Sequence, residues 1–248
     1  MHVPCLTRLD VCFEDDGSAF SANVLAVAPA LVKINIAPLN HMNLHAAALH
    51  SVTAALRHGA LQKLQEVEFH GCLLGREDVR DFMIAFADAV WAKGVTSLKF
   101  SRCGHDAEAL RALADLLSRD AFPALKTLCF PGKSDITDVG VVALVKGLSK
   151  ATPTIFTHLH LEDVGMSDEG IAGLAALIHK GRLNQLIAMH LSENSLVTDR
   201  GVISLAQAID AHGLPILIYH FQNKGDLRAY SRGNSAITQA LNKGCPDS

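Results

Sequence analysis

The sequence lacks several features that would assign it at once to a broad functional class. Its 248 residues contain one tryptophan and two tyrosines, and aromatic residues make up 5% of the chain. No stretch reaches the ~18–20 consecutive apolar residues of a membrane-spanning helix. The opening segment MHVPCLTRLDVCFEDDG has no basic region followed by an apolar one, so no secretory signal is predicted. The net charge of -3 offers no basic field to nucleic acid or anionic lipid.

Cysteine is present, but not in a pattern that indicates disulfides or a metal site. The six residues form no CxxC pair and no compact framework: Cys5, Cys12, Cys72, Cys103, Cys129 and Cys245. We interpret them as reduced thiols, and we expect a cytoplasmic or nuclear protein without a cofactor. With 49% hydrophobic and 19% charged residues, the chain is expected to fold.

A repeated apolar pattern runs along the chain. Eight short segments place an apolar residue three positions before an apolar-x-apolar pair, as in LQEVEF and VTSLKF. Their middle anchors are separated by 25, 33, 31, 30, 31, 30 and 30 residues: Leu9, Ile34, Val67, Leu98, Leu128, Leu159, Met189 and Tyr219. Because the spacing is nearly constant, the pattern predicts a repeat protein in which each unit is a strand, a loop and a helix.

Between the anchors the apolar period changes from 2 to 3.6, which predicts the helices. Two stripes are expected to be buried: Val79, Met83, Phe86 and Val90 in one helix, and Leu110, Leu113 and Leu117 in the next. Three later helices share a start. A serine or threonine can cap the first turn and an aspartate suits the positive helix end: Thr137 and Asp138, Ser167 and Asp168, Thr198 and Asp199.

The segments LQEVEFHGC and VTSLKFSRC, each followed by a helix, resemble leucine-rich repeats of the ribonuclease-inhibitor type. Cys72, Cys103 and Asn194 occupy the family's Cys/Asn position. The resemblance implies one α/β solenoid domain over residues 1–248, with about eight strand-helix units arranged as a horseshoe. A parallel sheet would form the concave side and helices the convex side. Units 1–60 are less regular, and residues from about 226 to 248 are expected to form a C-terminal cap.

The concave sheet explains the spacing of the histidines. Alternate side chains of a strand point to opposite faces, so His158, His160 and Glu162 would project from one strand. His160, His190 and His220 would occupy one position on three successive strands, which lie ~4.8 Å apart. We interpret these residues as part of a polar, solvated face or of a partner-binding patch, because histidine changes charge near neutral pH.

A metal site is the alternative interpretation of the same histidines. A triangle of His158, His160 and His190 could close on one zinc ion, whose ligands lie ~2.0–2.1 Å from the metal. The row His160, His190 and His220 could not easily do so, because its outer members would be ~10 Å apart. No HExxH or CxxC motif accompanies these residues.

We therefore predict a non-catalytic scaffold or regulatory subunit that binds a protein partner through its concave face. The predicted contact residues form two patches: Glu66, Glu68, His70, Lys99 and Ser101 in the first, and His158, His160, Glu162, His190, Ser192, His220 and Gln222 in the second. The alternatives are the metal-dependent site and a substrate receptor of a ubiquitin ligase. Few aromatics reach this face, so we expect moderate affinity that depends on salt and pH. The first strand starts near residue 6 without a cap, which predicts a contact or a dimer at that end.

Overall fold

A computed structural model of the chain describes residues 6–13, 25, 28–38, 47–71, 76–88, 93–103, 106–132, 135–151 and 155–212. Within these residues, seven strands form one parallel sheet in which each strand pairs with the next along the chain. They are β1 (Arg8–Phe13), β2 (Lys33–Pro38), β3 (Glu66–His70), β4 (Ser97–Ser101), β5 (Thr127–Cys129), β6 (His158–His160) and β7 (Ala188–His190). The eighth anchor, Tyr219, and the predicted cap over about 226–248 lie outside the described residues.

The strand register follows the predicted repeat. Seven middle anchors lie side by side, one on each strand: Leu9, Ile34, Val67, Leu98, Leu128, Leu159 and Met189. All of them except Leu9 are at most 1% exposed. Their burial fixes the register, because a slip of one residue would turn every anchor to the opposite face. The prediction of an α/β solenoid with a parallel sheet is confirmed.

Six helices follow strands in the described part of the chain, and neighbouring helices pack against each other. They are α1 (Ala47–Arg57), α2 (Arg76–Asp88), α3 (Ala107–Leu117), α4 (Thr137–Lys150), α5 (Asp168–His179) and α6 (Asp199–His212). The predicted stripes of α2 and α3 are buried: Val79, Met83, Phe86, Leu110, Leu113 and Leu117. Val90 lies outside the described residues. No described helix is long and apolar enough to cross a membrane.

The core between sheet and helices changes character along the solenoid. In β3, β4 and just after β5, Phe69, Phe100 and Phe130 form a stacked column, with ring centroids 5.7 and 5.5 Å apart. In the next two units, buried Leu161 and Leu191 take the corresponding places. Burying each such side chain contributes about 1.5–3 kcal/mol, so both stretches are held by the hydrophobic effect, with ring stacking added in the first.

The Cys/Asn position lies where the chain leaves each strand. The thiol of Cys103 is 1% exposed and donates to the carbonyls of Phe69 and Ser101, at 3.4 and 3.2 Å. Asn194 makes a larger set of bonds. Its Nδ2 donates to three carbonyls, of Leu161, Leu191 and Ser192, at 2.7–3.3 Å. Its Oδ1 accepts from two backbone N–H groups, of Val164 and Met166, at 3.0 and 3.3 Å. Both residues act as predicted from the repeat, whereas Cys72 lies outside the described residues.

One corner conformation recurs after the strands. The residue that ends each concave row has a positive φ of 53–101° in five consecutive units: Gly71, Arg102, Gly132, Asp163 and Glu193. Backbone N–H groups at these corners donate to the next unit, as Gly132 does to the Glu162 carbonyl at 3.0 Å. The sheet register therefore continues past the short strands β5 to β7, and the residue before each corner keeps its place on the concave face.

The shared helix starts connect neighbouring units. The Asp138 carboxylate accepts from the backbone N–H of Ser167 at 2.8 Å and from its hydroxyl at 2.6 Å. Asp168 does the same for Thr198, at 2.7 and 2.5 Å. A Cβ on Gly201 would collide with the Asp168 carboxylate, which explains the glycine at this point of the motif.

The predicted caps are confirmed at two of the three helices. The Ser167 hydroxyl accepts from the N–H of Glu169 at 3.2 Å, and the Thr198 hydroxyl accepts from that of Arg200 at 3.3 Å. The prediction for Thr137 is wrong. Ile136 occupies the N-cap of α4 without a side-chain bond, and Thr137 is already the first helical residue, with a φ of 54°.

Helices α3 and α4 approach each other more closely than side chains would normally permit. A Cβ built on Gly147 would lie 2.5 Å from the Ala114 carbonyl oxygen and 2.8 Å from its Cα. Only glycine therefore fits at this crossing.

Candidate protein-binding surface on the concave sheet

Two rows of side chains run across the concave side of the described sheet, alternating with the buried anchors. The first row is Arg8, Lys33, Glu66, Ser97, Thr127, His158 and Ala188, and the second is Asp10, Asn35, Glu68, Lys99, Cys129, His160 and His190. No described helix lies over these rows, since the helices pack on the anchor side. The arrangement follows from period-2 alternation in strands of fixed register.

The first predicted patch is closed by ion pairs. Lys33 Nζ lies 2.9 Å from Glu66 Oε2 and 3.9 Å from Glu68 Oε2, and Lys99 Nζ lies 3.8 Å from the same Glu68 oxygen. We call Lys33, Glu66, Glu68 and Lys99 the ion-pair patch. Two lysines balance two glutamates, so the patch carries no net charge. Lys33 was not among the predicted contact residues, although its register with Glu66 follows from the repeat.

The sheet edge at β1 carries another charged group. Arg8 Nε donates to Asp10 Oδ2 at 2.5 Å, and Asn35 Nδ2 donates to Asp10 Oδ1 at 3.2 Å. The hydrogen bond from Arg8 is the main reason that the pKa of Asp10 lies below its ordinary value. This edge also retains partly buried apolar residues, Leu6, Leu9 and Val11, in the described part of the first unit.

The second predicted patch is centred on two stacked imidazoles. The rings of His160 and His190 lie 4.1 Å apart between centroids, with an angle of 10° between their planes. The facing sides of the two rings therefore cover each other. We call His158, His160, Glu162, His190 and Ser192 the histidine patch.

The remaining groups of the histidine patch are loosely connected. His190 Nδ1 lies 3.7 Å from Glu162 Oε1, and the Ser192 hydroxyl lies 3.5 Å from the same oxygen. His158 Nδ1 is 2.9 Å from the hydroxyl of Thr157, a contact that either tautomer could make. Among the described residues, Glu162 thus has no ion pair as close as the one between Lys33 and Glu66.

Burial keeps the centre of this surface uncharged. Desolvation, aided by His190, His158 and Lys99, lowers the pKa of His160 from 6.5 to about 4. Desolvation also raises the pKa of the Cys129 thiol from 9.0 to about 12, against the smaller opposing effect of Lys99. At neutral pH the thiol and this imidazole are therefore both neutral.

Two of the predicted contact residues are buried, and so is Cys129, which lies in the same rows. Ser101 is 8% exposed, Ser192 is 7% and Cys129 is 6%. Their side chains are short and stand between longer ones on neighbouring strands, which shield them from solvent. Ser101 and Ser192 therefore contribute little contact area, whereas His70 is exposed as predicted. His220 and Gln222 lie outside the described residues.

The proposed metal triangle does not form. Parallel rings direct their in-plane nitrogen lone pairs along parallel lines, so His160 and His190 do not converge on one point as zinc ligands must. In the part of the chain that the structure describes, no group of three or more His, Cys, Asp or Glu residues is placed to hold a metal ion.

No protein-family model matches the chain, and no curated protein matches it. Solved structures similar to it include a tropomodulin C-terminal domain from Caenorhabditis elegans, which is 14% identical with a TM-score of 0.42. The match covers 79% of this chain and 94% of that one. The Rad7–Elc1 complex from yeast is 12% identical with a TM-score of 0.37, covering 85% of this chain and 68% of that one.

The fold is leucine-rich-repeat-like. This description rests on the shared register of seven parallel strands and on the buried, hydrogen-bonded residues Cys103 and Asn194. The two solved structures, with TM-scores below 0.5, add no argument about function. In this leucine-rich-repeat-like solenoid, the concave rows are the extended polar surface that the described part of the sheet presents.

Proposed function

We propose that the chain is a non-catalytic interaction module, a scaffold or regulatory subunit, that binds a protein partner through its concave face. The observation that supports this most directly is the pair of rows, in register over seven strands, over which no described helix lies. Parallel sheets are normally covered on both faces, so a sheet face that none of the described elements covers suits a partner that completes the cover.

We also infer that the repeats are of the ribonuclease-inhibitor-like type. Successive anchors from Val67 to Met189 are 30 or 31 residues apart. A cysteine and an asparagine alternate in the same buried hydrogen-bonding position, at Cys103 and Asn194. Both features support the ribonuclease-inhibitor-like type. The repeat units are also long, and each contains an α-helix rather than a short turn.

The test compares the two faces of the solenoid with one captured partner. The partner is isolated from the native source with the full chain and identified by mass spectrometry, and its affinity is then measured with purified variants. Concave variants are Lys99→Ala and His190→Ala. Controls on the helix side are Glu77→Ala and Arg80→Ala, whose side chains are 76% and 62% exposed.

We expect the concave variants to weaken binding by about 1 kcal/mol or more each, as for contact residues of a polar interface, and the helix-side controls to leave it unchanged. Circular dichroism and urea unfolding confirm that each variant is folded. If the helix-side changes abolish binding while the concave ones have no effect, the proposed face is wrong.

A further inference from the structure

Two histidines meet on the helix side of the solenoid, away from both concave patches. His179 is the last residue of α5, and His212 is the last residue of α6. Both side chains are exposed, and His212 Nε2 lies 3.2 Å from His179 Nδ1. The two helices pack against each other, so the pair is anchored on neighbouring repeat units.

The separation of the two nitrogens is close to that of two ligands of one metal ion. Imidazole nitrogens lie ~2.0–2.1 Å from zinc, so two of them at a tetrahedral angle are ~3.3–3.4 Å apart. The observed distance is 3.2 Å. One nitrogen donates and the other accepts in the present hydrogen bond. A small rotation of each ring would therefore direct both lone pairs to a common point beside the line that joins the nitrogens.

The angle between the rings distinguishes this pair from the stacked pair on the concave face. A nitrogen lone pair lies in the plane of its ring. The ring planes of His179 and His212 cross at 71°, with centroids 5.2 Å apart. The rings of His160 and His190 are parallel to within 10°. Crossing planes share a line on which two lone pairs can meet, whereas parallel planes share none. Of these two pairs, only the one on the helix side can converge on an ion.

The ends of the two helices favour a positive ion at this point. The C-terminus of a helix carries a partial charge of about -0.5 that acts within the last turn. His179 and His212 both lie in the last turn of their helices. Two neighbouring negative helix ends thus support the same cation that the two imidazoles would bind.

We propose that His179 and His212 chelate one divalent transition-metal ion, for which zinc is the reference. Imidazole nitrogens suit zinc, copper and nickel. Because both side chains are exposed, the ion enters from solvent and its remaining positions are taken by water or by a group of a partner. No third His, Cys, Asp or Glu of the described residues completes the set, so we expect weaker binding than at a structural site with four protein ligands. The ion would tie α6 to α5, and the site is independent of binding at the concave face.

Binding requires only a change of tautomer in the hydrogen-bonded pair. A ligand nitrogen must be unprotonated. The donor ring moves its proton to its other nitrogen through solvent, and the acceptor ring already presents a lone pair. At about pH 7.5 an ordinary imidazole, with a pKa of ~6.5, is mostly neutral, so this pH suits the measurement.

The test is a titration of the full chain with Zn²⁺ by isothermal titration calorimetry at about pH 7.5. We expect His179→Ala and His212→Ala each to weaken the tightest zinc binding by at least about tenfold, because the loss of one ligand ends the chelation. The double variant should be weaker than either single variant by less than about twofold, since the two residues act as one unit. NMR should show the ring signals of His179 and His212 shifting together as zinc is added.

His190→Ala is the matched control, because it breaks up the other described pair of neighbouring rings. It should change the zinc affinity by less than about twofold, since parallel rings do not chelate. Circular dichroism confirms that each variant is folded.

Three results would overturn the proposal. The first is an unchanged zinc affinity in both single variants. The second is a double variant whose loss is the sum of the two single losses, which would indicate separate sites. The third is the absence of any shift in the His179 and His212 ring signals with zinc in excess. Each of these results leaves the interpretation of the concave face as it is.

Discussion

The ion-pair patch and the histidine patch occupy the same rows of one sheet, yet they satisfy their polar groups in different ways. In the first, each charge has an opposite charge from a neighbouring strand, as Lys33 has in Glu66 at 2.9 Å. In the second, two imidazole rings stack and the single described carboxylate lies 3.7 Å from the nearest ring nitrogen. The backbone is alike in both, so the side chains alone set the difference.

This difference determines which groups lose their contact with water when a partner binds, and what they gain in return. A partner that covers the ion-pair patch has to desolvate charges that are already paired, and the gain is small because exposed ion pairs contribute only about 0–1 kcal/mol. A partner that covers the histidine patch desolvates the His160 ring, which is neutral because burial lowers its pKa to about 4, and it meets Glu162, which has no described lysine or arginine as an ion-pair partner. The histidine patch is therefore the better candidate for the energetic centre of an interface.

The largest expected effect concerns Cys129, which lies between the two patches. With its pKa raised to about 12 from 9.0, its thiolate fraction at about pH 8 is roughly a thousandfold lower than that of an ordinary thiol. Cys12, on the same face at β1, is exposed. We expect iodoacetamide to label Cys12 at least about a hundredfold faster than Cys129 in the native protein, as measured by peptide mass spectrometry.

Unfolding in urea should remove this selectivity, which provides the control. Comparable labelling rates in the native state would show that the surface between the patches is open to solvent, contrary to the 6% exposure of Cys129.

The next effect compares the buried hydrogen bonds behind the two patches. Asn194→Ala removes the five bonds of its side chain and leaves backbone groups unpaired in the core, so we expect a loss of about 3 kcal/mol in the free energy of unfolding. Cys103→Ala, in the equivalent position behind the ion-pair patch, removes two weaker bonds and should cost about 1 kcal/mol. Urea denaturation measures both, and equal losses would contradict the comparison.

A third prediction uses pH. Because the pKa of His160 is lowered in the folded protein from its ordinary value of 6.5 to about 4, the unfolded state binds this proton first as the pH falls. The contribution of His160 to stability is thus fully present above pH 6.5 and is lost as the pH falls towards about 4. His160→Gln should lose less stability than the wild type over this window, measured by urea midpoints.

An NMR titration of the His160 ring proton tests the same point directly. A midpoint near 6.5 rather than about 4 would mean that the stacked pair does not exclude water as the structure indicates.

The smallest effect is expected in the ion-pair patch itself. Glu68→Gln removes the carboxylate that lies 3.9 Å from Lys33 and 3.8 Å from Lys99, and we expect a loss of about 0.5–1 kcal/mol that fades at high salt. Glu162→Gln, whose ion-pair partner is a histidine at 3.7 Å rather than two lysines, should change stability by less than about 0.5 kcal/mol. If Glu162→Gln were the more destabilising of the two, the histidine patch would hold the stronger charge pair, contrary to the comparison.

The apolar anchors made the fold predictable from the sequence. Residues such as Val67, Leu98 and Leu128 recur at nearly constant spacing, and their burial alone determines strand register and the membership of each concave row. The same spacing placed Cys103 and Asn194 in the buried hydrogen-bonding position. The strand register and the position of these two residues both follow from the repeat spacing, which can be read from a single sequence.

The burial of individual side chains and the contacts between neighbouring repeat units were not predictable from this spacing. The row position of Ser192 was correct, but its burial depends on the height of neighbouring side chains. Asp138 was expected to serve its own helix, whereas it also binds Ser167 of the next unit. The stacking of His160 on His190 depends on the orientation of the two rings, which the spacing of residues along the sequence does not determine.

The close crossing at Gly147 and Ala114 has a consequence for the curvature of the solenoid. A horseshoe curves because helices, normally 8–10 Å apart, need more room than strands ~4.8 Å apart. Where glycine lets the backbones of α3 and α4 come into contact, this mismatch is smaller, and we expect the arc to be less curved there. Those helices lie behind β4 and β5, the boundary between the two patches. We therefore expect that one extended stretch of partner chain could contact both patches with little bending.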